Sequence, residues 1–363
     1  MLVVAAPWKI RAMQATTKGI GAAAAAMTAF AAGAFGASRF RRDLHECQLR
    51  AGSGSVIADT RCGPIEYASA GSGACVLAVH GAAGGFDQAL AVLGPLAQRS
   101  LHLVAMSRFG FLRTPLPADA SPAAQADAHA ALLDALGIGR AAVIGGSAGA
   151  PSAMEFAIRH PERCRGLALL VPLAWKPPGS RASAAPAVVR ERVLTTVMAS
   201  DLAYWMTLKL RPNTVIRNVL GTPPGRVHSA SPTERERVAA LMQSIMPLQA
   251  RMPGIDNDAR IARSLRRLAL ERIRCPTLII GVSDDLFGSF AGARYTAEQI
   301  AGARFVGFET GGHVWAGHND EVIAELRNFL ERCAGNSGAI GTPSRCISAR
   351  ASNGALTFAS LSK

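Results

Sequence analysis

The chain is 363 residues long, 49% hydrophobic and 18% charged, which is enough to bury a full core and excludes a disordered protein. Its net charge of +14 is local: residues 1–50 hold seven Lys/Arg against Asp43 and Glu46, residues 176–275 hold seventeen against seven acids, and the rest is near neutral. No aromatic-basic motif accompanies that charge, and the arginines of 260–274 read as the solvated face of a helix, so no nucleic-acid partner is expected.

Gly19–Ser38 is a twenty-residue run without a charge, half of it alanine, with Lys9, Arg11 and Lys18 before it and Arg39, Arg41 and Arg42 after it. At ~1.5 Å per residue a helix of that length crosses a hydrocarbon core of ~30 Å. Alanine is weakly apolar, however, and the bulky members are few: Ile20, Met27, Phe30 and Phe35. Three readings compete: an uncleaved membrane anchor, a signal peptide with small residues near Ala32–Ala37, and a helix lying on the folded body. The first two are favoured, so the expectation is a membrane-associated or exported protein, with a cytoplasmic one as the alternative.

From Arg50 to Asp59 the chain is Gly/Ser-rich and reads as a linker. Ile65–Ala68 and Ala74–His80 read as strands flanking the turn Ala70–Gly73, and Leu101–Met106 is a third apolar run. A helix is expected over Ala123–Leu136, stopping at Gly137, then a strand at Ala141–Ile144, a helix at Ser152–His160 and a strand at Gly166–Val171. Such alternation implies a parallel sheet with helices on both faces. It breaks at Pro172 and returns at Pro276. Between them, helical segments around Ala187–Leu210, Pro232–Gln249 and Asn257–Arg272 mark an α-helical insertion, with Asp256 or Asn257 expected to cap the last of these. Thr277–Val282, Ala303–Glu309 and Glu321–Cys333 restore strand, strand and terminal helix. The expected organisation is an N-terminal segment 1–50, a core in two parts (51–175 and 275–334), a helical cap 176–274 and a disordered tail 335–363.

The seven cysteines are scattered, with no CxxC pair, and fit neither a zinc site nor a disulfide scaffold. Cys75, Cys164 and Cys275, at the edges of apolar runs, read as small buried hydrophobes.

The chemistry concentrates at three places. Gly145-Gly146-Ser147-Ala148-Gly149 is G-x-S-x-G between a strand and a helix, the context that lifts a serine hydroxyl onto a strained turn. His80-Gly81-Ala82-Ala83-Gly84-Gly85 ends an apolar strand, and the N–H of Ala82 is expected to pair with that of Ala148 to hold a developing oxyanion. A serine hydroxyl needs a base, and among eight histidines His313 is the best placed, in a Gly311-Gly312-His313 loop after a strand, with His318 its rival. His45, His129, His160 and His228 read as helix-surface or linker residues. Asp284 and Asp285 follow the strand Thr277–Val282 and offer a carboxylate to orient the imidazole. The chain order Ser147, Asp, His313 is that of an α/β-hydrolase.

On these motifs residues 61–175 and 275–332 resemble the α/β-hydrolase superfamily, in its branch of esterases, C–C bond hydrolases and dehalogenases with helical caps. The resemblance implies a mostly parallel, doubly wound sheet with an α-helical cap acting as a lid. The stretch Cys275–Ile280 followed by Asp285-Leu286-Phe287 is similar to the family segment ending in its acid, which selects Asp285 over Asp284. Ser107-Arg108-Phe109-Gly110 matches the family loop after the third strand, with Ser107 in place of a structural Asp. A nucleophilic serine argues against haloalkane dehalogenase and epoxide hydrolase chemistry. The expectation is a serine esterase with Ser147, Asp285 and His313 as catalytic residues, a small-molecule ester as substrate, and no cofactor or metal. The alternatives are a C–C bond hydrolase of a keto-acid using the same three residues, and a non-catalytic binding module.

Overall fold

The computed structural model describes residues 33–97, 100–177, 193–194 and 196–335. Eight strands form one sheet: β1 (Val56–Thr60), β2 (Gly63–Gly71), β3 (Ala74–Val79), β4 (Leu101–Met106), β5 (Ala141–Gly146), β6 (Cys164–Leu170), β7 (Thr277–Val282) and β8 (Arg304–Phe308). Their order is β1-β2-β4-β3-β5-β6-β7-β8. β2 pairs antiparallel with both β1 and β4, and every other pairing is parallel.

The parallel strands are apolar along their whole length because both faces are covered. Alternation sends Leu77, Val79, Val143, Leu167 and Ile279 to one face, beneath α2 (Pro122–Ala135), α3 (Ala150–Arg159) and α9 (Phe290–Gln299). Val76, Ala78, Ile144, Leu170 and Ile280 point the other way, beneath α1 (Phe86–Leu93) and α10 (Asn319–Gly335). The crossover after β6 carries the insertion: α4 (Asp201–Leu210), α5 (Pro212–Asn218), α6 (Pro224–His228), α7 (Pro232–Ser244) and α8 (Met252–Ser264). These helices share a third core of Tyr204, Trp205, Val215, Ile216, Val238 and Met242, which also takes in Cys47 and Val314.

Several expectations are corrected. The linker proposed for residues 50–59 contains β1, which turns tightly into β2 through the Thr60↔Gly63 pair; Val56 and Ile57 are exposed on this edge strand, so it lacks the apolar signature of the inner strands. Helices α1 and α9 had no expected counterpart, α1 being a short helix of eight residues that starts directly after Gly85. Asp256 and Asn257 do not cap a helix: α8 begins at Met252, with Pro253 in its first turn, and carries both in its interior. The long helix expected over Ala187–Leu210 is interrupted at Ser200, whose hydroxyl accepts from Ala203 N and opens α4; residues 187–192 lie outside the described residues. His129 is not on a helix surface but fully buried, with Nε2 on the Ser152 hydroxyl at 3.1 Å.

Residues 33–52 are helical, while most of Gly19–Ser38 lies outside the described residues. From Phe40 this helix packs on the cap: Phe40 meets Trp205 edge-on at 5.6 Å, Asp43 accepts from Trp205 Nε1, and Arg50 donates to the carbonyls of Gln243 and Met246. Among the described residues no helix is long and apolar enough to cross a membrane. The six described cysteines are unpaired; Cys164 and Cys275 bring their Sγ atoms to 3.6 Å, and Cys346 lies outside the described residues, as does the tail beyond Gly335.

Candidate active site

Three loops at the carboxyl ends of β5, β7 and β8 converge. Ser147 follows β5 directly, with φ of +45°, a conformation that an L-residue holds only when its surroundings enforce it. What enforces it is the close approach of β3: a Cβ on Gly149 would stand 2.5 Å from the His80 carbonyl oxygen and 2.8 Å from that of Val79. Only glycine fits there, and the approach lets α3 start immediately behind the serine.

His313 comes from the loop after β8. Its Nε2 lies 2.9 Å from Ser147 Oγ, and its Nδ1 lies 2.8 Å from Asp285 Oδ2. Asp285 is buried and also accepts from Phe287 N at 2.8 Å and from the Ser289 hydroxyl. Burial works to raise its pKa, but the neighbouring His313, with hydrogen bonds from His313, Ser289 and the Phe287 amide, holds it below the ordinary carboxylate value. A carboxylate kept ionised on Nδ1 leaves Nε2 as the acceptor facing the serine.

Asp284, the other carboxylate considered from sequence, faces away from the imidazole. Its Oδ1 accepts from Gly312 N at 2.7 Å and its Oδ2 from Arg226 Nε at 2.9 Å, so it pins the histidine loop. His318 also stands apart, with Nδ1 3.3 Å from Glu321 and its ring against Phe308. The structure therefore brings together Ser147, His313 and Asp285, and leaves Asp284 and His318 outside that line.

The turn at His80–Gly85 sits beside the serine: a Cβ on Gly81 would lie 3.2 Å from Ser147 Cβ. Gly81, the residue before Ala82, thus lies against Ser147, which Ala148 follows directly in the chain. Arg108 donates from Nε to the His80 carbonyl at 2.9 Å and from Nη2 to the Gly81 carbonyl at 3.0 Å, while its Nη1 and Nη2 both reach Asp258 at 2.7 Å. Arg251 donates to the Gly84 carbonyl and forms a two-pronged pair with Asp87. These partners were not expected. The burial of Arg251 and Asp258 depends on where α8 packs.

The cap touches the site at Gly221-Thr222. The Gly221 carbonyl accepts from Leu286 N at 2.9 Å and His313 N at 3.3 Å, and so ties the acid and histidine loops together. Gly221 has φ of +55°, and a Cβ there would collide with the Phe287 ring at 2.3 Å. That ring packs edge-on against His313 at 4.7 Å.

Ser107, in place of the family's Asp, is buried with its hydroxyl donating to Glu66 Oε2 at 2.8 Å and accepting from Phe86 N at 3.2 Å. Glu66 on β2 thereby supplies the carboxylate from the neighbouring strand, neutralised by Arg113 at 2.7 Å. Among the described residues no group of three or more His, Cys, Asp or Glu is placed to hold a metal.

Comparison with known proteins agrees with this architecture. The α/β-hydrolase fold model matches residues 75–212. A solved α/β-hydrolase fold protein from Nakamurella multipartita superposes with a TM-score of 0.62 at 26% identity, covering 78% of this chain and all of that one. In sequence the chain is 33% identical over 113 residues to a 2-hydroxy-6-oxo-6-phenylhexa-2,4-dienoate hydrolase of Comamonas testosteroni, covering 30% of this chain and 40% of that relative's length. It is 29% identical over 203 residues to a putative carbamate hydrolase of Pseudomonas savastanoi, covering 54% of this chain and 70% of the relative. The chain has the α/β-hydrolase fold.

Proposed function

We propose that the chain is a serine hydrolase that cleaves a carboxylic ester through an acyl-enzyme. One observation carries the reading: the unbroken line from Ser147 Oγ to His313 Nε2 and from Nδ1 to Asp285, on a turn with positive φ at the serine. Ser147 attacks the ester carbonyl as His313 takes its proton. The amides of Ala82 and Ala148 hold the oxyanion, and His313 returns the proton to the departing alkoxide. Water activated by the same imidazole then releases the acid. Asp285 keeps the imidazole oriented and stabilises its cation. On this reading residues 51–175 and 275–334 carry the chemistry, and 176–274 covers it and selects the substrate. The uncharged run Gly19–Ser38 with its basic flanks supports membrane attachment or export.

A second reading keeps the same residues and cleaves a C–C bond in a keto-acid; the similarity to the Comamonas dienoate hydrolase favours it. Turnover of short p-nitrophenyl esters against a vinylogous keto-acid separates the two.

The test common to both is labelling of purified protein with a fluorophosphonate and mapping of the adduct by mass spectrometry. A single adduct on Ser147, lost in His313→Ala, is expected. A folded protein that takes no label overturns the reading.

A further inference from the structure

Two carbonyls of the turn beside Ser147, those of His80 and Gly81, are held by Arg108. The Gly81 carbonyl accepts from three donors: His80 Nδ1 at 2.7 Å, Arg108 Nη2 at 3.0 Å and Gly84 N at 3.3 Å. His80 Nε2 accepts from Arg108 N at 3.0 Å, so the ring carries its proton on Nδ1 and is neutral. Burial and the Arg108 charge both push its pKa well down, in keeping with that form. The His80 carbonyl accepts from Arg108 Nε as well.

A trans peptide is planar, with its N–H directed opposite to its C=O. Whatever fixes the Gly81 carbonyl therefore fixes the Ala82 N–H in the reverse direction. Arg108 is 4% exposed, and its guanidinium is planar with a fixed fork of donors, so one edge can take two backbone carbonyls while the other meets a carboxylate. That carboxylate belongs to Asp258, buried in the middle of the cap helix α8 with Arg108 as its ion-pair partner. The assembly is closed by Phe111, whose ring lies 4.8 Å from the Arg108 guanidinium and 4.7 Å edge-on from His80.

From this geometry we infer that Arg108, clamped by Asp258 of the cap, is a positioning residue: it turns the Gly81–Ala82 peptide so that the Ala82 N–H faces the carbonyl oxygen of a substrate at Ser147. The inference rests on the proposed serine-hydrolase reading for its catalytic consequence, and on the hydrogen bonds alone for the peptide direction. It makes the cap part of the oxyanion site as well as a cover: moving α8 moves the guanidinium, and the guanidinium holds the peptide. Neither residue touches the substrate.

The test compares the wild type with the double variant Arg108→Met/Asp258→Leu, which removes the clamp without leaving a buried charge unpaired, and with Arg108→Lys. Lysine keeps the charge opposite Asp258 but is a point donor with no fork to span both carbonyls. With p-nitrophenyl acetate as probe, the double variant is expected to lose ~10²-fold in kcat, the scale of one oxyanion donor, with KM within about twofold, and Arg108→Lys to fall between. Crystal structures of the variants are expected to show the Gly81 carbonyl rotated from its wild-type direction. Folded variants that keep the wild-type kcat and the wild-type carbonyl direction overturn the inference. A wild type inactive on esters and unlabelled by fluorophosphonate overturns the hydrolase reading instead, and the carbonyl direction in the variant crystals still decides the positioning role.

Discussion

Two adjacent carboxylates at the end of β7 do different work because their backbone positions aim them at different partners. Asp285 meets the imidazole; Asp284 meets the Gly312 amide and Arg226. Under the proposed mechanism Asp285→Asn is expected to lower kcat by ~10³–10⁴-fold through loss of the orienting charge. Asp284→Asn keeps an acceptor for Gly312 N and is expected to cost about tenfold or less, since a misplaced histidine loop is only partly released. Steady-state kinetics on one ester, with folding checked by circular dichroism, decide the order. Sequence carried this site a long way. Ser147 was legible because G-x-S-x-G stood between a strand and a helix, and His313 because it followed a strand in a glycine turn. The choice between Asp284 and Asp285 needed the family resemblance, because two successive residues at a strand end differ only in direction. Arg108 and Arg251 were illegible as buried groups: an arginine reads as surface until its carboxylate partner, here 150 and 164 residues away, is brought against it.

At the scale of elements, α8 is fastened to the core by polar groups rather than by a greasy stripe. Asn257 donates to the Ala120 carbonyl, Asp258 takes Arg108, and Arg251 just before the helix takes Asp87 of α1. This is why the sequence misplaced the helix start: Asp256 and Asn257 carry the residue types of a cap, but Asn257 spends its side chain across an element boundary. Arg251 is wholly buried and Asp87 nearly so. Such pairs add little net stability compared with an apolar pair, yet breaking one leaves a stranded charge. Asp87→Ala is expected to lower the free energy of unfolding by about 3–5 kcal/mol, and the double variant Asp87→Leu/Arg251→Met to recover most of it. Urea unfolding of the wild type, the single and the double variant measures both. The inner strands were read correctly because they are buried on both faces and continuously apolar, whereas β1 escaped notice because an edge strand with exposed Val56 and Ile57 carries no such pattern.

For the molecule as a whole, the helical residues 33–52 belong with the cap. Cys47 and Ala51 are buried, and Arg50 bonds two cap carbonyls. A chain lacking residues 1–32 is expected to melt close to the full-length protein once both are in the same detergent or buffer, while one lacking residues 1–52 is expected to melt several degrees lower. Differential scanning calorimetry of the two truncations checks this; equal melting temperatures for both would separate the segment from the body. Cap and sheet were each legible as helix-rich and strand-rich stretches. Their joint at Gly221-Thr222 was not, because it consists of backbone contacts with no residue-type signature.

Ser147 and His313 are 166 residues apart in the chain, with the whole cap encoded between them. During synthesis, at roughly 5–20 residues per second, the serine leaves the ribosome at least several seconds before its base does. A chain that ends between these two positions therefore carries the proposed nucleophile without its proposed base. On the proposed reading, hydrolytic power arrives only with the loop that follows the last strand, once cap and core have both been made.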